Sequence, residues 1–236
     1  MWSKKSFLII GGSSGIGLAT VRELVQRGSS VSVWSRTQSE ELAELNVPHH
    51  AVDVTRDIGE TPLPEHLDGI GYFPGSINLM PFKRIPDQTY LDDFQVNLLG
   101  AVRVLKRTLP LMARTGGGSV VMVSTVAVQT GMSYHASIAA AKGAVEGLSR
   151  ALAAEYAAKR IRFNVVAPSL TDTPLAERLL NSEQKRERAA ARHPLGRVGS
   201  PPDQAAAAVY LLGDESAWMT GQVLHVDGGL GTLRTS

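Results

Sequence analysis

No cysteine occurs in this chain, which excludes disulfide bridges, thiolate metal sites and a cysteine nucleophile, and fits a reducing compartment. An excess of one charge sign is equally lacking. Lys and Arg number 24 against 22 Asp and Glu, a formal net charge of +2 with no concentrated basic tail, so no nucleic-acid partner is expected. Long hydrophobic runs are missing as well. The opening MWSKKSFLIIGG holds an apolar stretch of only four residues, too short for a secretory signal or a membrane span, so a cytoplasmic protein without a membrane partner is expected. No Pro/Gly/Ser-rich linker, low-complexity stretch or internal repeat divides the 236 residues, and we read residues 1–236 as one domain around one large core.

What the chain does have is alternation. Short apolar, β-branched runs lie at 7–10, 31–34, 49–52, about 69–73, 119–124, 161–166 and 222–226. Helix-length segments at 15–27, 88–114, 136–159 and 203–213 separate several of them, with Pro86 and Pro202 near two of the starts. Between Asp53 and Asp68, Pro62 and Pro64 leave room for about a turn of helix. This pattern predicts an α/β protein, a doubly wound parallel sheet of about seven strands with helices on both faces.

The first strand runs into GGSSGIG (11–17), which opens a helix. Gly15 and Gly17 let the backbone approach a pyrophosphate, and the helix N-terminus offers free N–H groups to it. A tight turn also wants glycine, but strand-loop-helix is the context a nucleotide site needs. The second strand ends in Ser35 and Arg36 instead of the acidic residue that would hold the ribose of NAD(H). A guanidinium pairs well with a phosphate, which favours NADP(H); the competing reading is a solvated surface arginine. Asp53, after the third strand, is a candidate for the adenine amino group or a turn cap.

The loop at 11–17, Asn97 in FQVNLLG, Ser124 in VMVST, Lys142 in HASIAAAKGAVEG, NVVAPSLTDTP (164–174) and TGQVLHVDGG (220–229) together resemble the short-chain dehydrogenase/reductase family. The resemblance runs over essentially the whole chain in the family's order and implies a Rossmann-type fold. It implies cofactor contacts from Gly11, Ser13, Ser14, Gly15, Ile16 and Gly17, from Ser35, Arg36, Asp53 and Val54, and from Gly75, Asn97 and Lys142. Pro168, Thr171 and Thr173 are implied at the nicotinamide end. In the family a Tyr-x-x-x-Lys pair works with a serine and an asparagine; the lysine holds the nicotinamide ribose and lowers the tyrosine pKa, and the tyrosine exchanges a proton with the substrate oxygen.

Lys142 and Asn97 match this pattern, but the tyrosine position is Ile138. The serine position, thirteen residues earlier, holds Thr125 beside Ser124. The Asn-Asn-Ala-Gly loop becomes Tyr72, Phe73, Pro74 and Gly75; the threonine opening the glycine motif is Ile10; and the glycine after Pro168 is Ser169. Several concurrent changes read as natural divergence. Isoleucine has no ionisable proton. Four readings follow: Tyr134 or His135 substitutes as donor; Lys142 or an ordered water delivers the proton beside Ser124 and Asn97; the substrate needs no strong acid; or the chain binds NADP without turnover, as partner or sensor. The bland readings are a histidine in the capping region and a tyrosine packed under its loop.

On the substrate side, the resemblance implies a lid at 173–194, whose Glu183–Arg192 stretch we read as a solvated face. Tyr72, Phe73, Met80 and Phe82 either line the mouth, favouring a bulky apolar or aromatic small molecule, or belong to the core. The alanine-rich segment 136–159 permits close helix packing and, with the family, implies a homodimer or homotetramer; alanine also simply favours helix. No metal site is expected.

Overall fold

The computed structural model describes residues 2–234. Its strands are β1 (Ser6–Ile10), β2 (Ser30–Ser35), β3 (His49–Ala51), β4 (Gly69–Tyr72), β5 (Gly118–Val123), β6 (Ile161–Pro168) and β7 (Val223–Val226). They form one sheet in the order β3-β2-β1-β4-β5-β6-β7, and every pair is parallel. Side chains alternate across a strand, so a sheet covered on both faces needs apolar residues at consecutive positions. In β1, Leu8 and Ile10 join one core layer while Phe7 and Ile9 join the other. β5 repeats this, with Val120 and Met122 on the first face and Val121 on the second. Trp34, Phe7 and Phe163 are among the largest fully buried side chains, each contributing roughly 1.5–3 kcal/mol.

The helices are α1 (Gly15–Gln26), α2 (Glu40–Glu44), α3 (Asp87–Phe94), α4 (Gly100–Arg114), α5 (Ala127–Thr130), α6 (Ala136–Tyr156), α7 (Glu177–Leu180), α8 (Glu183–Ala191) and α9 (Pro201–Leu212). Residues of α1 and α9 pack on one face of the sheet, and those of α4 and α6 on the other. The helix expected over 88–114 is interrupted: a π turn, Gln95–Leu99, joins α3 to α4 and carries Asn97. Apolar periodicity continues through such a turn, so the pattern does not reveal it. The short α2 and α5 also went unread, whereas α7 and α8 fall within 173–194, whose residue spacing is helical; α2 and α8 begin at Ser39 and Ser182, whose side chains accept from the N–H groups of Leu42 and Lys185. α9 starts two residues earlier than expected, because Ser200 and Asp203 close a capping box around Pro201 and Pro202.

From β1 the chain moves out to β2 and β3, then returns to β4 on the other side of β1. Where the order reverses, the loops leaving neighbouring strands diverge and open a crevice at the carboxyl ends of the strands. Among the described residues no helix is long and apolar enough to cross a membrane, and no group of three or more acidic, His or Cys side chains could hold a metal ion.

Candidate active site

The crevice begins in the loop after β1. Gly11 has φ +75°, and a Cβ on Gly17 would lie 2.2 Å from the Gly11 carbonyl oxygen, so loop and helix close on each other only with glycine there. Ser14 is extended at the head of α1, and its hydroxyl caps none of the first-turn N–H groups. Ser13, Ser14, Gly15, Ile16 and Gly17 form one wall of a cleft of about 1090 Å³, and Ser35, Arg36, Asp53, Val54, Gly75 and Thr173 line it further along. Arg36 is exposed and enters no salt bridge among the described residues. The Ser35 hydroxyl is engaged beside it, 2.9 Å from the Thr37 carbonyl oxygen and 2.9 Å from His49 Nε2. Asp53 caps its turn, accepting from the Thr55 hydroxyl at 2.7 Å and the Thr55 N–H at 2.9 Å. Those bonds hold its carboxyl below the ordinary value, with smaller help from Arg56 and Arg36 against a small burial effect.

A second cavity, about 370 Å³, continues from the cleft; Ile16, Phe73, Gly75, Ser76, Thr173 and Leu175 line both. At the junction Gly75 lines both spaces, Lys142 lines the cavity, and Asn97 stands behind the wall without lining either. A Cβ on Gly75 would stand 3.3 Å from Asn97 Oδ1 and 3.4 Å from Lys142 Nζ. Asn97 is fully buried in the π turn; its Nδ2 donates to the Asp93 carbonyl at 2.8 Å and to Ser76 Oγ at 3.0 Å, while Oδ1 has no partner among the described residues. Lys142 Nζ donates to the Val123 carbonyl at 2.8 Å. Burial pushes this ammonium down to about 8, and the negative charge of Asp93 opposes the shift.

Asp93 was not anticipated. Its buried carboxylate accepts from Ser76 Oγ at 2.5 Å, Asn78 Nδ2 at 2.7 Å and Ser137 Oγ, tying α3, the loop after β4 and the start of α6 together. The only sequence signal was its place one helical turn before Asn97.

The cavity sorts the remaining candidates. Ile138, 5% exposed, lines it, as do Thr125, His135, Pro168 and Thr171. Ser124 touches the wall, but its hydroxyl is turned to α6 and donates to Glu146 Oε1 at 2.7 Å. Thr125 is the partly exposed hydroxyl of the pair. Tyr134 does not reach the cavity: it is 59% exposed with φ +70°, and its carbonyl accepts from the Met80 N–H at 3.1 Å.

Of the four residues expected at the mouth, only Phe73 lines the cavity. Tyr72 is buried in the core and donates to the Val96 carbonyl at 2.5 Å, and burial raises its phenol far above the ordinary value. Phe82 is 74% exposed, and Met80 lies outside both spaces. The apolar wall is instead built by residues including Ile77, Leu79, Met132, Leu170, Leu175 and Leu179. The stretch read as a solvated face also corrects itself in part. Lys185, Arg188 and Arg192 border the cavity, although Lys185 already donates to Asn181 and to the Arg178 carbonyl. Ser169 and His193, unforeseen as a pair, hydrogen-bond inside the same cavity at 2.9 Å.

Comparison with known proteins follows this geometry. A family described as enoyl-(acyl carrier protein) reductase matches residues 11–231. A tropinone reductase homolog of Arabidopsis thaliana is 34% identical over 244 residues, covering 95% of this chain and 91% of that protein. The structure of a short-chain type dehydrogenase/reductase from Mycobacterium ulcerans superposes with a TM-score of 0.88 at 29% identity, covering 98% of this chain and 91% of the other. ElxO with NADP bound also gives 0.88, at 26% identity, covering 98% of this chain and 100% of the other. With the parallel sheet, the glycine loop and the Asn97–Lys142 junction in the family's order, the chain belongs to the short-chain dehydrogenase/reductase family.

Proposed function

We propose that this protein is an NADP(H)-dependent oxidoreductase that moves a hydride to or from a carbonyl, imine or related group on a bulky apolar or aromatic small molecule. Its family carries out NAD(P)-dependent carbonyl reduction and dehydrogenation. The observation that carries the reading is the continuity of cleft and cavity, with Gly75, Asn97 and Lys142 meeting at their junction.

The residues present fit a dinucleotide. The glycine cradle and uncapped α1 suit a pyrophosphate, and the orphan acceptor Asn97 Oδ1 marks a place where a donor is wanted. Arg36 takes the 2′-phosphate, Lys142 the nicotinamide ribose, and Pro168, Thr171 and Thr173 the carboxamide end. When bound, the cofactor supplies or accepts the hydride. Thr125 replaces Ser124 as the hydroxyl that steadies the substrate oxygen, because Ser124 is committed to Glu146. Ile138, at the family's tyrosine position, offers no proton; general acid–base help, typically worth about 10²–10⁴-fold, must come from another group.

Titration of the purified chain tests the cofactor assignment. NADPH is expected to bind more tightly than NADH, and Arg36→Ala to erase roughly a tenfold or larger preference, the value of one charge-assisted bond. Equal or absent binding of both overturns it. A second reading, a cofactor-binding protein without turnover, draws on Ile138 and the engaged Ser124 hydroxyl. Tight NADPH binding with no consumption across ketones, imines and enones would favour it. The exposed Ala140, Ala151 and Ala154 on α6 support a homodimer or homotetramer, which light scattering checks.

A further inference from the structure

We infer that Ser169 and His193 form the proton relay of this site, Ser169 as the catalytic hydroxyl and His193 as the group that recharges it. The inference rests on the oxidoreductase reading and supplies the proton that Ile138 cannot.

His193 is 4% exposed and held at both ring nitrogens. Nδ1 lies 2.7 Å from the Ala189 carbonyl oxygen. A carbonyl only accepts, so Nδ1 carries a hydrogen in either charge state. Nε2 lies 2.9 Å from Ser169 Oγ. In the neutral ring Nε2 is an acceptor, and the serine O–H points into it. In the imidazolium Nε2 donates, which turns the serine proton outward. Ser169 lies just past the end of β6, partly exposed in the cavity that Lys142, Ile138 and Thr125 also line. The charge state of one buried ring therefore sets whether the cavity meets a hydroxyl donor or a hydroxyl acceptor.

That switch matches both reaction directions. In reduction, the carbonyl carbon gains a hydride with its two electrons from the reduced cofactor, and the C=O π electrons go to oxygen. The oxygen takes the Ser169 proton as Ser169 takes the Nε2 proton, leaving neutral imidazole that solvent reprotonates. Oxidation runs the same transfers backwards. No alkoxide accumulates on serine, because donation and recharging are coupled. A serine beside a base oriented by a third group is an arrangement suited to proton transfer.

Other ionisable groups face this ring. Lys185, Arg188 and Arg192 border the cavity from its own segment, and His135 and Lys142 from α6. Asp227 precedes the Gly228 that packs on the ring, and its oxygens accept from Gly229 and Gly231 N–H groups at 2.9 Å. His135 has one ring partner, the Ser133 carbonyl at 2.8 Å, and sits at the head of α6. It lacks the two-sided hold that would keep a ring aimed.

The test combines NADPH binding, the pH dependence of reduction and imidazole spectra on the full chain. His193→Gln and Ser169→Ala should each lower kcat by about a hundredfold or more while changing NADPH affinity far less. The pH–rate profile of reduction should carry a limb that falls with rising pH, and His193→Gln should abolish it. Proton–nitrogen correlation spectra of the cofactor-free protein should show neutral His193 as the Nδ1–H tautomer. A His193→Gln rate near wild type, an unchanged pH limb, or loss of the limb in His135→Gln alone overturns the relay. So does an Nε2–H tautomer. If the wild type binds no NADPH, or binds it and turns over nothing, the oxidoreductase reading fails and the catalytic relay falls with it; the tautomer spectrum then decides only whether the Ser169–His193 bond exists.

Discussion

The cleft and the cavity share a wall around Gly75 yet differ in how they are built. The cleft opens on a glycine loop, an uncapped helix start and a strand end carrying Arg36. Phosphate recognition needs N–H groups and close approach, so it constrains glycine positions and tolerates change in side chains. The cavity is walled by side chains from α6 and from the segments that follow β4, β5 and β6. Comparison of the two shows that a surface framed by close backbone approach constrains glycine positions, while a cavity walled by side chains depends on each residue placed in it.

Three substitutions would break or sharpen that contrast, beginning with the largest effect. Ile138→Tyr places a phenol one helical turn from Lys142, on the wall of the cavity. In a His193→Gln background, where the relay is removed, this change should raise ketone reduction by about 10²–10⁴-fold, and steady-state assays would show it. No gain would mean that the cavity has been rebuilt around a different proton route.

Lys142 tests the junction through pH. Its folded pKa is depressed, so between about 8 and the ordinary lysine value the unfolded chain binds the extra proton and stability rises with pH. Below about 8 both states are protonated and the penalty, about 3 kcal/mol, is fully present. Lys142→Met should flatten that slope in urea unfolding measured across this window, and weaken NADPH binding. An unaltered slope would show that Lys142 is not the group responsible.

The smallest effect lies away from both regions. Ser200→Ala opens the capping box of α9 and should lower stability by about 1 kcal/mol in denaturant unfolding, with NADPH affinity and turnover unchanged. An accompanying loss of binding would indicate that the cleft depends on distant scaffold strength.

The interior strands were legible because a doubly covered sheet demands consecutive apolar, β-branched residues, and the glycine loop because the close approach of Gly17 to the Gly11 carbonyl forbids a side chain. The π turn at Asn97 was not, since hydrophobic spacing passes through it unbroken. Nor was the fate of Tyr72: an aromatic residue suits a cavity mouth and a core equally, and only packing against β1, β5 and the π turn sends it inward. Ser124 and Thr125 look interchangeable in the chain. Their difference comes from Glu146, 22 residues away, which claims the Ser124 proton.

By itself the sequence determined the alternating α/β order, the place of the glycine loop, the arginine after β2 and the absence of an ionisable proton at position 138. Each follows from local chemistry: periodicity, glycine, one guanidinium, one isoleucine. Tertiary structure alone decided which polar groups share a space. Ser169 and His193 are 24 residues apart, and Asp93 and Ser137 are 44 apart. Nothing in their local sequence announces these meetings, because a hydrogen bond depends on distance and direction, which folding sets.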